Sequence, residues 1–327
     1  MLIIDIILLI VGFVALIKGA DWFVDGSASI ARILKVPGVI VGLTIVAMGT
    51  SAPELAVSTS AALSGSNEIA LSNVIGSNMF NLLVVLGVCA IICKVPVEDA
   101  ILKRDFPVNI LVTVFVLISV GHQTLAGKLW QSAAMSDEVG SASRLAGILL
   151  LVIFACYVTF LVVDAIKHPV NGGEEDEKIL PVWKCILFVL VGIALIVGGG
   201  QAVVNSAKEI ARIAGMSETL IGLTIVALGT SLPELVTSVV AAKKGETGMA
   251  VGNVVGSNLF NLMLILGVSS AIHPIGVNLA SVCDLAILLV ITVIGYLFCF
   301  VGKSVKRVEG IFMVLMYVAA MVFAALR

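Results

Sequence analysis

Residues 42–60 read GLTIVAMGTSAPELAVSTS and residues 222–240 read GLTIVALGTSLPELVTSVV, agreeing at 13 of 19 positions with an offset of 180. A second pair keeps that offset: NVIGSNMFNL at 73–82 and NVVGSNLFNL at 253–262 agree at 8 of 10 positions. Ile30-Ala31-Arg32, echoed by Ile210-Ala211-Arg212, carries the homology upstream. The chain is therefore built twice from one unit, and self-similarity at a fixed spacing governs the whole fold.

What surrounds these segments sets the class. Of 327 residues, 60% are hydrophobic and only 12% charged, and the mean hydropathy is +1.19. An ordinary soluble domain carries about 25% charged residues. The apolar runs are long enough to cross a hydrocarbon core of about 30 Å, and they predict spans over 2–22, 38–64, 69–93, 106–122, 145–166, 183–205, 218–242, 248–272, 280–301 and 308–326. The reading is an all-α polytopic membrane protein of ten transmembrane helices. Five helices per repeat is an odd number, so the second repeat enters the bilayer in the opposite sense. Such inverted repeats are the plan of secondary transporters, whose sites lie near the midplane where the repeats meet. The division is 1–166 as the first repeat, 167–182 as an acidic linker with Glu174-Glu175-Asp176-Glu177, and 183–327 as the second.

Other classes fall away on composition. A net charge of −2 with scattered basic residues offers no track for phosphates, so no nucleic-acid partner is expected. The cysteines at 89, 93, 156, 185, 283 and 299 all lie in apolar runs and read as packing residues. The first residues lack the basic start of a cleaved signal peptide, so the first run is expected to remain as a helix. Counting Lys and Arg by side places 13 on loops after odd-numbered helices and 5 on the other side. That asymmetry predicts both termini outside the inner cell membrane and the 167–182 linker in the cytoplasm. No obligate protein partner is indicated.

Two acids lie well inside the spans, Glu54 and Glu234. A carboxylate at that depth costs about 2.5–3.5 kcal/mol on insertion scales, so a function is the default reading. Thr50, Glu54 and Ser58 recur every four residues and share a helical face, as do Thr230, Glu234 and Ser238. Pro53 and Pro233 deprive the carbonyls of Gly49 and Gly229 of their usual donors. On the next helix Asn73, Ser77 and Asn81 form a polar stripe, repeated by Asn253, Ser257 and Asn261. Carboxylates, amides, hydroxyls and carbonyls make an oxygen-only site for a hard cation, and two negative charges suit Ca²⁺ better than the smaller, more rigidly hydrated Mg²⁺. Asp5, Asp21, Asp25, Asp164 and Asp284 fall near span ends and are expected to reach water.

The paired G-T-S-x-P-E-L and G-S-N-x-x-N-L segments resemble the two alpha repeats of the Ca²⁺/cation antiporter superfamily, most closely its prokaryotic sodium/calcium exchangers. The resemblance implies that helices 2, 3, 7 and 8 form the ion-binding core while helices 1 and 6 slide past it. It places ligands at Ala47 (backbone), Thr50, Ser51, Glu54, Ser77 and Asn81, and at Ala227 (backbone), Thr230, Ser231, Glu234, Ser257 and Asn261. Asn261 stands where potassium-dependent members carry Asp, which points away from K⁺ co-transport. The implied activity is exchange of Na⁺ for Ca²⁺, with both ions as transported substrates and no cofactor. A proton/Ca²⁺ antiporter using the same two glutamates is the alternative. A channel fits one charged knot at a repeat interface less well, and no His accompanies the carboxylates, so an enzyme is not expected.

Overall fold

The computed structural model describes residues 2–64, 67–125, 135, 138–167, 169, 179–216 and 227–326. Seven described helices are long and apolar enough to cross a membrane: Leu2–Leu34, Ile69–Ile92, Arg144–Lys167, Val182–Ile213, Thr247–Ile272, Leu279–Gly302 and Arg307–Ala324. A further crossing is a broken pair, Gly38–Thr50 and Ala52–Leu63. Phe106–Leu125 adds another apolar helix. Leu232–Lys243 is the described part of the span expected at 218–242, whose residues 218–226 lie outside the described residues. Each expected span thus has a described helix on it. Large apolar side chains such as Ile3, Ile166, Val301 and Leu326 stand exposed, as a lipid-facing surface requires. Most of the acidic linker, including its four-acid run, falls outside the described residues.

The first and sixth helices run well past the expected ends at 22 and 205, to 33 and 32 residues. Polar residues such as Asp21, Asp25 and Asn205 raise the cost of membrane burial but do not break a helix; a left-handed residue does. Lys35 has φ 55° and Gly215 has φ 84°. The closures match bond for bond: Val36 N–H donates to the Ala31 carbonyl at 2.9 Å, and Met216 N–H to that of Ala211 at 3.0 Å. Both are the six-to-one bond of a Schellman cap, built at positions 180 apart.

The chain divides into two compact units, Met1–Pro53 with Leu161–Gly256, and Glu54–Phe160 with Ser257–Arg327. Each draws on both sequence halves. In the first unit the two long helices cross on glycine. A Cβ on Gly12 would meet the Gly199 carbonyl oxygen at 2.9 Å, and one on Gly19 would meet that of Gly192 at 2.9 Å. Gly192 is the repeat equivalent of Gly12, and Gly199 of Gly19, so the contacts are exchanged as a two-fold axis demands.

The second unit obeys the same exchange. Strand β1 (Val95–Pro96) pairs antiparallel with β4 (Ser304–Val305), and β2 (Glu138–Ala142) with β3 (Ile275–Asn278). The register places Val95 opposite Val305, and Ile275 opposite Ala142. These are one pairing seen twice once the repeat offset drops from 180 to 163 in the last helix, where Arg307-Val308-Glu309-Gly310-Ile311 echoes Arg144-Leu145-Ala146-Gly147-Ile148. The first half therefore carries 17 extra residues within the connection between the Phe106–Leu125 and Arg144–Lys167 helices. The two ribbons qualify the all-α expectation, since short alternating segments between long apolar runs leave almost no signal.

Candidate ion-binding site

Both repeats interrupt the helix at the same serine. Ser51 sits at φ −82°, ψ 8°, and Ser231 at φ −94°, ψ 7°, a sparsely populated region that ends an α-helix and recurs at functional sites. The proline explains the restart: Pro53 and Pro233 stand in the first turn of Ala52–Leu63 and Leu232–Lys243, where a missing N–H costs no intrahelical bond. Glu54 and Glu234 consequently occupy the first turn of a half-helix. Free N–H groups and the positive end of the helix dipole favour a carboxylate there by roughly 0.3–1 kcal/mol, more in a partly buried setting.

In the first unit Glu234 is wholly buried and its Oε1 accepts from the Ser51 hydroxyl at 2.9 Å. Thr50 Oγ1 bonds Asn253 Oδ1 at 3.1 Å, and Asn253 Nδ2 donates to Ser238 Oγ at 2.9 Å. The Ala47 carbonyl accepts the Ser51 N–H at 3.0 Å. Thr50, Ser51, Ser231 and Ser238 have no exposed surface. Thr230 is half-buried, and its Oγ1 has no hydrogen-bond partner among the described residues. Residue 227 lies on a short helix, Ala227–Gly229, and the other residues of the expected seventh span before it are outside the described set.

In the second unit Glu54 and Ser58 are equally buried. Asn73 Nδ2 donates to Ser58 Oγ at 2.9 Å and to the Glu54 backbone carbonyl at 3.3 Å, repeating the Asn253–Ser238 bond. Ser77, Asn81, Ser257 and Asn261 are buried. Asn81 opens a π-helical segment, Asn81–Val85, and Asn261 lies in another, Phe260–Ile265. Such segments redirect side chains and recur at functional sites. Among the described residues neither polar atom of Asn81 has a hydrogen-bond partner, nor does Asn261 Oδ1. A buried amide oxygen left so costs roughly 1–3 kcal/mol, which coordination of a cation by Asn81 Oδ1 and Asn261 Oδ1 would offset.

The sequence expectation thus finds Ser51 with Glu234 and Thr50 with Asn253 in the first unit, and Glu54 with Asn73 and Ser58 in the second. It missed Asn78 and Asn258. Both are buried, Asn78 Nδ2 donates to the Asn258 carbonyl at 3.3 Å, and Asn258 Nδ2 returns the bond to the Asn78 carbonyl at 3.3 Å. Their signal was present, an asparagine shared by both G-S-N segments, but it falls off the four-residue stripe. Also missed was a buried Asp105, held by Arg104 at 2.7 Å and by the Tyr157 hydroxyl at 2.8 Å. Among the described residues no three His, Cys, Asp or Glu side chains converge. Hydroxyl, amide and carboxylate oxygens suit hard cations rather than thiophilic metals.

Residues 4–163 and 184–326 match the family model described as sodium/calcium exchanger protein. The chain belongs to that family. It is 33% identical over 345 residues to sodium/calcium exchanger MaX1 of Methanosarcina acetivorans, covering 98% of this chain and 99% of that protein. It is also 33% identical to inner membrane protein YrbG of Escherichia coli, covering 89% and 87%. Among solved structures, the sodium-calcium exchanger NCX_Mj superposes with a TM-score of 0.83 at 30% identity, covering the whole of both chains. This exchanger is accordingly a multi-pass membrane transporter, a cation/Ca²⁺ antiporter of prokaryotic type and not an enzyme.

Proposed function

We propose that this exchanger moves several Na⁺ in one direction for one Ca²⁺ in the other, by alternating access at an oxygen-ligand site near the bilayer midplane. The proposed ligands are Glu54 and Glu234, the hydroxyls of Thr50, Thr230, Ser51, Ser231, Ser77 and Ser257, the amides of Asn81 and Asn261, and the backbone carbonyls of Ala47 and Ala227. The observation that carries the reading is the matched burial of the two glutamates, each in the first turn of a half-helix. Two negative charges balance one Ca²⁺, and the same oxygens accept Na⁺ when several bind together. The lysine and arginine asymmetry supports both termini outside and the 167–182 linker in the cytoplasm.

The test is ⁴⁵Ca²⁺ uptake into proteoliposomes loaded with Na⁺ and diluted into Na⁺-free buffer at equal pH, beside an arm with a pH gradient and no Na⁺. Uptake that needs internal Na⁺ and collapses with a sodium ionophore establishes the exchange. Uptake that follows only the pH gradient overturns it in favour of proton coupling.

A further inference from the structure

The reciprocal Asn78–Asn258 pair is symmetric in its backbone bonds and asymmetric in its side-chain oxygens. Asn78 Oδ1 accepts from Asn261 Nδ2 at 3.0 Å. The repeat equivalent of that bond would run from Asn81 Nδ2 to Asn258 Oδ1, and among the described residues both of those atoms lack a hydrogen-bond partner. All four asparagines are buried at 0% exposure. One member of a two-fold related pair of bonds is therefore made and the other is open, although the residues that would make it are identical.

We propose that Asn78 and Asn258 are positioning residues that take turns. Asn78 holds Asn261 in the state seen here, and Asn258 holds Asn81 in the opposite-facing state, as the Asn78–Asn261 bond opens. The argument has three steps. The two repeats share one local structure, so a bond available to one is available to the other. The repeats are related by a pseudo-two-fold axis in the membrane plane, so the arrangement seen here, with the roles of the two repeats interchanged, is an arrangement that faces the opposite side. The bond open in one state is then the bond made in the other, and each state removes one set of buried unsatisfied amide atoms while creating its mirror image. The mutual backbone bonds, being symmetric, persist in both states as the fixed point. The consequence for transport is that Asn81 and Asn261 alternate between a fixed and a free orientation, so the site offers its amide oxygens differently to the two sides.

The inference rests on the antiport reading but not on which ion is coupled, so the experiment uses ⁴⁵Ca²⁺/Ca²⁺ self-exchange, which needs neither a Na⁺ nor a pH gradient. The apparent KM for Ca²⁺ is measured at each face in right-side-out and inverted vesicles. Asn78→Ala removes a bond found in one state only, and Asn258→Ala removes its counterpart. The ratio of the two KM values should therefore shift in opposite directions in the two variants, by roughly two- to tenfold each, the range of one net hydrogen bond. The double variant should return towards the wild-type ratio. Asn78→Ser and Asn258→Ser, which keep a hydroxyl for the backbone carbonyl, give the same opposed shifts where an alanine variant fails to fold. Shifts of the same sign, or an unchanged ratio in variants that still exchange Ca²⁺, overturn the proposal. A merely structural asparagine would lower turnover without splitting the two faces.

Discussion

Ser51 and Glu234 meet at 2.9 Å, the hydroxyl that marks the helix break of one repeat donating to the buried acid of the other. The bond fixes which oxygen of Glu234 remains for other partners. Its loss should weaken ion binding without unfolding the protein, because Ser51 also holds its place through its backbone bond to Ala47. A hydrogen bond to a charged group contributes roughly 1.5–3 kcal/mol. Ser51→Ala is expected to raise the KM for Ca²⁺ by roughly ten- to a hundredfold with a smaller change in maximal rate, measured by ⁴⁵Ca²⁺ uptake.

Removing either charge should be more severe. Glu54→Gln and Glu234→Gln keep the shape and one oxygen of each site but leave a single carboxylate to face a divalent ion. Each is expected to abolish sodium-driven Ca²⁺ uptake while leaving a monodisperse, folded protein. Near-normal uptake in either variant would show that the assigned roles are wrong.

Coupling leaves an electrical signature. Were three Na⁺ to move per Ca²⁺, one net charge would cross in each cycle, a driving force of about 2.3 kcal/mol per 100 mV. Clamping the vesicle potential with a potassium gradient and its ionophore should then speed uptake in one polarity and slow it in the other. Indifference to potential would indicate an electroneutral exchange.

The β1 loop carries two neighbouring acids of opposite character. Partial desolvation first, and then Asp105 beside it, push the Glu98 carboxyl above its ordinary range against the pull of Arg104, although the residue keeps an exposed surface. Bonds from Lys303 and Lys103 hold exposed Asp99 below it. A raised carboxyl contributes stability fully below its unfolded value near 4.5 and loses that contribution as pH rises through the folded value. Glu98→Gln should therefore raise the Tm slightly at neutral pH relative to wild type, the difference vanishing in acid and staying small because solvent reaches the residue. Asp99 runs the other way: its contribution is present at neutral pH and lost as pH falls through its depressed value. Asp99→Asn should thus lower the Tm slightly at neutral pH and match wild type in strong acid, the effect being small because an exposed pair is screened.

Much of this was legible in the sequence because the repeat is read twice. An internal echo at 180 residues needs no outside reference, and it delivered the inverted topology, the buried glutamates and the polar stripes together. What escaped had physical reasons. The break at Ser51 hides within one continuous apolar run, because Pro53 in a first turn and Pro53 in mid-helix look alike in hydropathy. The lengths of the Leu2–Leu34 and Val182–Ile213 helices escaped because a membrane span was equated with a helix, whereas the helix continues through Asp21 and Asp25 to the left-handed Lys35. Those two acids are tied to Lys244 at 2.6 Å each. Asn78 was passed over because periodicity assigns a face, not a partner on a second helix.

The glycine crossing should tolerate little. A Cβ at Gly19 would stand 2.7 Å from that of Leu195 and 2.9 Å from the Gly192 carbonyl oxygen, with no flexible side-chain end to yield. Overpacking of this kind typically costs about 1–3 kcal/mol. Gly19→Ala should lower the Tm in detergent by several degrees, and Gly192→Ala, its exchanged partner, by a similar amount, whereas Gly198→Ala, where nothing stands within 4 Å of the new atom, should not lower it.

The two ribbons also govern how the chain comes together during synthesis. Val95 pairs with Val305, and Ala142 with Ile275, so each ribbon joins an early segment to a late one. Contacts so distant along the chain close large loops and form late, after Ile275 and Val305 have been made. An isolated first repeat would leave the edges of β1 and β2 unpaired, and an isolated second repeat those of β3 and β4. Gene duplication has left two copies of one motif that no longer mature separately: the ribbons close only once the chain has been made through Val305.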